Sequence, residues 1–151
     1  EKLHFSARRL KHEQGLDLIV IDYLQMMRVT GVDEGSALEL AELTRSIKAL
    51  ARQLNVPVIA LSSLNRSLER RVDKRPILVD LRGSGALEDD ADTIMFIYRD
   101  DYYRAESPDK GFAEILVAKQ RNGPTGTVKL KFTGEHLRFD NLSEGAIGTF
   151  E

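Results

Sequence analysis

The chain of 151 residues contains neither cysteine nor tryptophan. Without thiols it can have no disulfide, no thiolate metal site and no cysteine nucleophile, a usage that fits a reducing compartment, so the cytoplasm is the expected location. Histidine is almost as scarce: His4, His12 and His136 are scattered, with none of the spacing that zinc ligands show. No apolar run approaches the roughly 20 residues of a membrane helix, and the start Glu1-Lys2-Leu3-His4 has no signal-peptide pattern, so no membrane association is expected. The formal net charge is only -2, so contact with nucleic acid has to come from a local basic surface. A nucleophile elbow is missing too, because Gly83-Ser84-Gly85 lacks both the G-x-S-x-G spacing and a preceding strand.

What remains is 42% hydrophobic and 30% charged, with no low-complexity tract, which is the composition of a folded globular chain. Residues 3–14 carry Leu3, Ala7 and Leu10 at helical spacing, and Gly15 follows as a stop. Leu16 to Asp22 is a β-branched apolar run of the kind found in strands buried on both faces. Ser36-Ala37-Leu38-Glu39 has capping-box spacing and opens a helix whose apolar stripe is Leu40, Leu43, Ile47, Leu50, Ala51 and Leu54. Asn55 and Pro57 end it, and Val56 to Ser62 reads as a second buried strand, giving strand, helix, strand. Residues 63–79 are polar and basic and read as loop. Leu81 to Asp92 is broken by glycine around a short helix, and Thr93 to Tyr98 reads as a third buried strand. Phe112 to Lys119 and Gly126 to Thr133 alternate with period two across an Asn122-Gly123 turn, predicting antiparallel strands. The class is α/β. Residues 1–142 are expected as one folded portion and 143–151 as a loosely ordered tail.

Asp22 ends a buried strand, the place where open α/β sheets bind ligands, and four apolar residues followed by Asp is the form of a Walker B segment that holds the water shell of Mg²⁺. An acid leaving a strand into a turn has the same form. The phosphate cradle G-x-x-x-x-G-K-[ST] that such an acid needs is absent, and no Gly-Lys dipeptide occurs. Because the chain begins with Glu rather than Met, the cradle is expected upstream, in a longer protein from which this piece was cut. Ser62 to Arg75 holds five basic residues against two acids, a run that could track a phosphate backbone or serve as a solvated loop. Arg82-Gly83-Ser84-Gly85 could bring backbone amides close to a phosphate or be a flexible turn. Lys119 and Arg121 end a strand at a tight turn, where cations can meet phosphates or guard an exposed edge.

Taken in order, Leu18-Ile19-Val20-Ile21-Asp22-Tyr23-Leu24-Gln25-Met26-Met27, Ser62 to Glu69, Lys74-Arg75-Pro76, Asp80-Leu81-Arg82, Asp90-Ala91-Asp92, Phe96-Ile97-Tyr98-Arg99-Asp100 and Lys119-Gln120-Arg121-Asn122-Gly123-Pro124 resemble the DnaB family of bacterial replicative DNA helicases. The resemblance runs from about Arg8 to Asn141. It implies an incomplete RecA-like P-loop NTPase core, with a mainly parallel sheet flanked by helices and antiparallel C-terminal strands. It further implies a homohexameric ring that hydrolyses ATP with Mg²⁺ and moves 5′ to 3′ on single-stranded DNA, with primase and a helicase loader as partners. Under it, Asp22 matches the Walker B acid, and Lys119 with the arginine finger Arg121 matches the pair that reaches a neighbour's nucleotide. Ser63 falls at the nucleotide-sensing strand end, Arg82, Gly83 and Gly85 fall on the DNA-backbone loop, and Arg66, Arg70 and Arg71 lie in a basic stretch beside it. The family usually has Gln at Ser63 and Glu at Gly83: serine is shorter in reach, and glycine is expected to loosen the DNA loop. The family's catalytic glutamate, Walker A loop and N-terminal collar are not among these residues, so the chain alone is expected to be inactive as an ATPase. Another RecA-like ATPase, of a repair or clock type, and a non-catalytic module that binds nucleic acid or a partner are the alternative readings.

Overall fold

The computed structural model describes residues 2–33 and 36–142; the expected tail, residues 143–151, lies outside the described residues. The chain divides into two compact units, Glu1–Asn65 with Leu81–Ala91, and Arg66–Asp80 with Asp92–Glu151.

The first unit begins with α1 (Lys2–Glu13), which stops where Gly15 takes a left-handed φ of +83°. Strand β1 (Ile19–Ile21) follows, then α2 (Ala37–Leu54) and β2 (Val58–Ala60), which lies parallel to β1 with Ile19 beside Val58 and Ile21 beside Ala60. The expected capping residue is in place: Ser36 Oγ accepts the Glu39 amide at 3.0 Å. At the other end Asn55 adopts the left-handed conformation at φ 52°, which asparagine tolerates better than other residues with a side chain, and its amide closes the last turn. Leu43, Ile47 and Leu50 on the predicted stripe are buried with Ile19, Ile21 and Val56.

Neither β1 nor β2 is buried on both faces, contrary to expectation. Ile19 and Ile21 point inward while Val20 is 59% exposed and Ile59 50% exposed. Alternation along a strand sends successive side chains to opposite faces, and the face carrying Val20 and Ile59 is open. Helix α3 (Ser84–Asp90) completes the unit and packs on α2. Thr44 Oγ1 of α2 donates to the Asp90 carboxylate at 2.6 Å, which fixes the far end of α3.

The second unit is built on an antiparallel sheet in the order β3 (Thr93–Tyr98), β4 (Phe112–Gln120), β5 (Gly126–Thr133), β6 (Arg138–Asp140). The α/β class with antiparallel C-terminal strands therefore stands, and within the described residues the parallel part is the β1–β2 pair. Strand β3, expected to be buried throughout, instead alternates. Ile94, Phe96 and Tyr98 are buried while Met95 and Ile97 are exposed, as befits an antiparallel sheet packed on one face. The Asn122-Gly123 hairpin is as predicted. Strand β6 and the short helix α4 (Asp100–Tyr103) were not foreseen.

Candidate nucleotide and DNA site

Asp22 stands one residue beyond β1, exposed, and no group among the described residues pairs with its carboxylate. The pairing of the two parallel strands continues past it: Leu61 donates to the Ile21 carbonyl at 2.9 Å and Leu24 donates to the Leu61 carbonyl at 2.9 Å. This puts Asp22 against the end of β2, where Ser62 and Ser63 follow. The Asp22–Tyr23 peptide is cis.

Gln25, which sequence reasoning passed over as part of a motif, holds that end in place. Its carboxamide Nε2 donates to Ser62 Oγ at 2.9 Å, and its Oε1 accepts the Ser63 amide at 3.2 Å. A carboxamide supplies a donor and an acceptor side by side on one planar head, so a glutamine three residues after the strand acid was the available signal. Beyond Ser63, Leu64 forms an isolated antiparallel bridge with Leu81, which carries the order of the β2 exit to the residue before Arg82.

Arg82 is exposed, and Gly83, at φ 77°, starts α3. Glycine was expected to loosen this loop, and in the structure the loop meets α2 at that position. A Cβ built on Gly83 would overlap Leu40 Cδ2, the tip of a half-buried side chain, so Leu40 occupies the space left by the missing side chain. Gly85 has nothing within 4 Å of such a Cβ.

The second unit holds the basic turn. Arg121, on the β4–β5 turn, is tied to Asp92 twice: its amide donates to the Asp92 carbonyl at 2.8 Å and its guanidinium to Asp92 Oδ1 at 3.1 Å. Both side chains of that ion pair are about half exposed, 45% and 60%. Lys119 sits beside a register shift, for Met95 pairs with Val117 while Ile94 pairs with Lys119. The extra residue turns Lys119 to the face of Ile94, where strict alternation from Val117 would have placed it on the Met95 face.

The basic stretch divides into two kinds of residue. Arg66 and Arg70 are exposed on a 3-10 turn, Arg66–Arg70. Arg71 builds the loop itself: its guanidinium grips both oxygens of the buried Asp80 at 2.8 and 2.7 Å and also donates to the Arg75 carbonyl at 2.8 Å. Burial pushes the Asp80 carboxyl up, but the Arg71 fork together with the Ile77 amide outweighs it and holds the carboxyl below its usual range. Arg75 clasps Glu114 of β4 with two bonds, 2.7 and 2.8 Å, while lying over the Tyr98 ring at 4.7 Å. Lys74 donates to the carbonyls of Glu69 and Arg71.

One further cluster in this unit was invisible in the sequence. Buried Asp100 accepts from Ser107 at 2.6 Å, Tyr98 at 2.7 Å and Arg104 at 2.7 Å. The Ser107 and Tyr98 hydroxyls, then Arg104, outweigh burial and hold its carboxyl at about 2. Asp100 thereby anchors α4 and the loop leading to β4.

A strand, helix, parallel strand unit with an acid at the first strand's carboxyl end, unpaired among the described residues, is the arrangement of RecA-like ATPase folds, and solved structures agree. One solved ATPase domain superposes with a TM-score of 0.87 at 46% identity, over 93% of this chain and 50% of that one. A DnaB-like replicative helicase, solved in a study of its interactions with primase, gives the same TM-score and identity over 93% of this chain and 35% of that one. The sequence profile described as "DnaB-like helicase C terminal domain" matches residues 1–141, and the chain belongs to that family. Among curated relatives, the replicative DNA helicase DnaB of Pasteurella multocida is 59% identical over 144 residues, which is 95% of this chain and 31% of the relative. That of Buchnera aphidicola from Acyrthosiphon pisum is 62% identical over 138 residues, 91% of this chain and 30% of the relative. Geobacillus stearothermophilus has one 57% identical over 138 residues, with the same coverage. The chain thus spans about a third of the length of the curated relatives it matches.

Proposed function

We propose that this chain is the Walker B and basic-turn portion of an ATP-dependent replicative DNA helicase that unwinds duplex DNA 5′ to 3′ as a homohexameric ring on single-stranded DNA. The observation that carries the reading is the exposed Asp22, unpaired among the described residues, at the carboxyl end of β1 beside the Ser62–Ser63 end of parallel β2.

ATP with Mg²⁺ suits these residues. No group of three His, Cys, Asp or Glu among the described residues could cage a cation. A lone carboxylate suits Mg²⁺, which keeps several waters and takes other oxygens from substrate phosphates. Asp22 would hold that water shell, and the bound ion supplies charge neutralisation at the transferring phosphoryl group. Gln25 keeps the Ser62–Ser63 end in register with Asp22, and the Ser63 position reports on the nucleotide. Arg121, with Lys119, reaches the nucleotide of a neighbouring subunit. Its resting pair with Asp92 is exposed and worth at most about 1 kcal/mol, so the guanidinium leaves it at little cost.

Arg82, with Gly83 and Gly85, contacts the DNA backbone. Arg66 and Arg70 offer further cations on the second unit, whereas Arg71 serves chiefly to shape its loop. Primase is the proposed partner of the whole protein, supported by the solved relative studied with it, and a helicase loader is proposed from family membership alone. No helix among the described residues is long and apolar enough to cross a membrane, and the cytoplasm is the proposed location.

The test is a chimera in which this chain replaces the matching residues of the Geobacillus stearothermophilus relative. It should unwind a 5′-tailed fork with ATP and Mg²⁺, and Asp22→Asn should abolish turnover while the ring still assembles. A chimera that assembles and binds nucleotide but hydrolyses none would make this chain a non-catalytic module and overturn the reading.

A further inference from the structure

The loop that carries Arg82 is fixed from α2. Gly83 lies at φ 77°, and the space where a side chain would begin is filled by Leu40: an ideal Cβ there would overlap its Cδ2 and stand 3.5 Å from its Cγ and 3.9 Å from its Cβ. Leu40 therefore lies against the backbone of the loop one residue after Arg82. The turn of α2 that presents it is itself held. Ser36 caps it, and the buried Glu39 carboxylate accepts the Val29 amide at 3.0 Å, tying the turn to the segment downstream of Asp22. One helical turn further on, Thr44 holds Asp90, so α2 grips α3 at both ends.

We propose that Leu40 is the positioning residue of the Arg82–Gly85 loop, and that glycine at 83 is the matching half of that contact. This rests on the reading of Arg82 as a DNA contact. Leu40 touches no nucleic acid in this scheme; it sets where the Arg82 guanidinium stands. Two consequences follow from the geometry. Any side chain at 83 has to displace Leu40 and also adopt a left-handed φ that L residues disfavour. Trimming Leu40 removes the first obstacle and leaves the second, so the two positions are energetically coupled.

The experiment is a double-mutant cycle on the full chain with Leu40→Ala, Gly83→Ala and the pair. Two readouts are taken: binding of a fluorescent oligothymidylate by anisotropy, and hydrogen exchange of the amides from Leu81 to Leu87. Alanine is a strong helix former, so Leu40→Ala leaves α2 intact. The expected result is about a tenfold loss of affinity in Gly83→Ala, of which the double variant regains several-fold. Leu40→Ala alone should speed exchange across the loop. Additive effects of the two substitutions, or a Leu40→Ala loop exchanging as in the parent, would overturn the proposal. If the parent chain binds no oligonucleotide, the assignment of Arg82 to DNA fails, while the exchange data still decide whether Leu40 places the loop.

Discussion

Gln25 accepts the Ser63 amide at 3.2 Å with one end of its carboxamide while the other end donates to Ser62 Oγ at 2.9 Å. A single side chain thus joins the exit of β1, behind Asp22, to the exit of β2. Gln25→Ala should leave the Ser63 amide without its acceptor and lower stability by about 1–2 kcal/mol. Gln25→Glu keeps the acceptor, and the Ser62 hydroxyl can turn to donate to the new carboxylate, so its loss should be smaller. Urea unfolding of the three chains checks the order; equal losses for the two variants would remove the Ser63 bond from the account.

Asp100 makes stability depend on acid pH. Its folded carboxyl titrates at about 2, below the ordinary 3.8, so between these values the unfolded chain binds more protons than the folded one. Stability should rise with pH across that window, be fully present above about pH 5 and be lost as pH falls toward 2. Asp80 and Asp101, also held low, act in the same direction. Asp100→Asn should flatten part of the slope and cost about 1–3 kcal/mol at neutral pH, because an amide N–H would face the hydroxyl and guanidinium donors. Thermal unfolding from pH 2 to 7 measures both; an unchanged slope would show that Asp100 is not the group responsible.

Arg75 grips Glu114, whose side chain is only 15% exposed, with both arms of its fork. Arg75→Ala leaves that carboxylate mostly buried and unpaired by its fork, and a loss of about 1–3 kcal/mol is expected after allowing for the partial exposure of the arginine. Lysine keeps the charge but neither the two bonds of the fork nor the guanidinium contact over the Tyr98 ring. Arg75→Lys should therefore fall between the parent and Arg75→Ala in denaturant midpoint.

Arg121→Ala should behave differently. Its pair with Asp92 is exposed on both sides, so unfolding free energy should change by no more than about 1 kcal/mol. In the chimera described above, the same substitution should sharply reduce ATP turnover. A large stability loss in the chain alone would mean that Arg121 is a structural residue of the turn.

The full chain by itself contains no G-x-x-x-x-G-K-[ST] sequence, and the amides and lysine of such a loop are what cradle the phosphates. No ATP turnover above background is expected from it. A phosphate-release assay with and without Mg²⁺ checks this, and sustained hydrolysis abolished by Asp22→Asn would show that another segment of this chain forms the cradle.

Much of the fold was legible because it rests on local patterns. The helical stripe from Leu40 to Leu54, the Ser36 cap, the Asn55 stop and the Asn122-Gly123 hairpin are each encoded within a few residues. Asp22 was legible for the same reason, since an acid after four apolar residues is a local signal. Strand burial was misjudged because an apolar run does not say how many faces will be covered; Val20 and Ile59 look no different from Ile19 and Ile21 in sequence.

By itself, then, the order of amino acids determined the α/β class, the strand that leads into Asp22, the basic end of β4 and its turn at Lys119 and Arg121, and the family likeness, all of which depend on neighbours along the chain. Tertiary structure alone decided which cations are spent on structure. Arg70 and Arg71 are adjacent in one basic run, yet Arg71 meets Asp80 while Arg70 is exposed. It also decided the face of Lys119, set by one extra residue in β4, and the fit of Leu40 against Gly83, 43 residues away in the chain. The physical reason is common to all three. Pairing, register and close packing depend on distances between residues remote in sequence, and no local propensity carries that information.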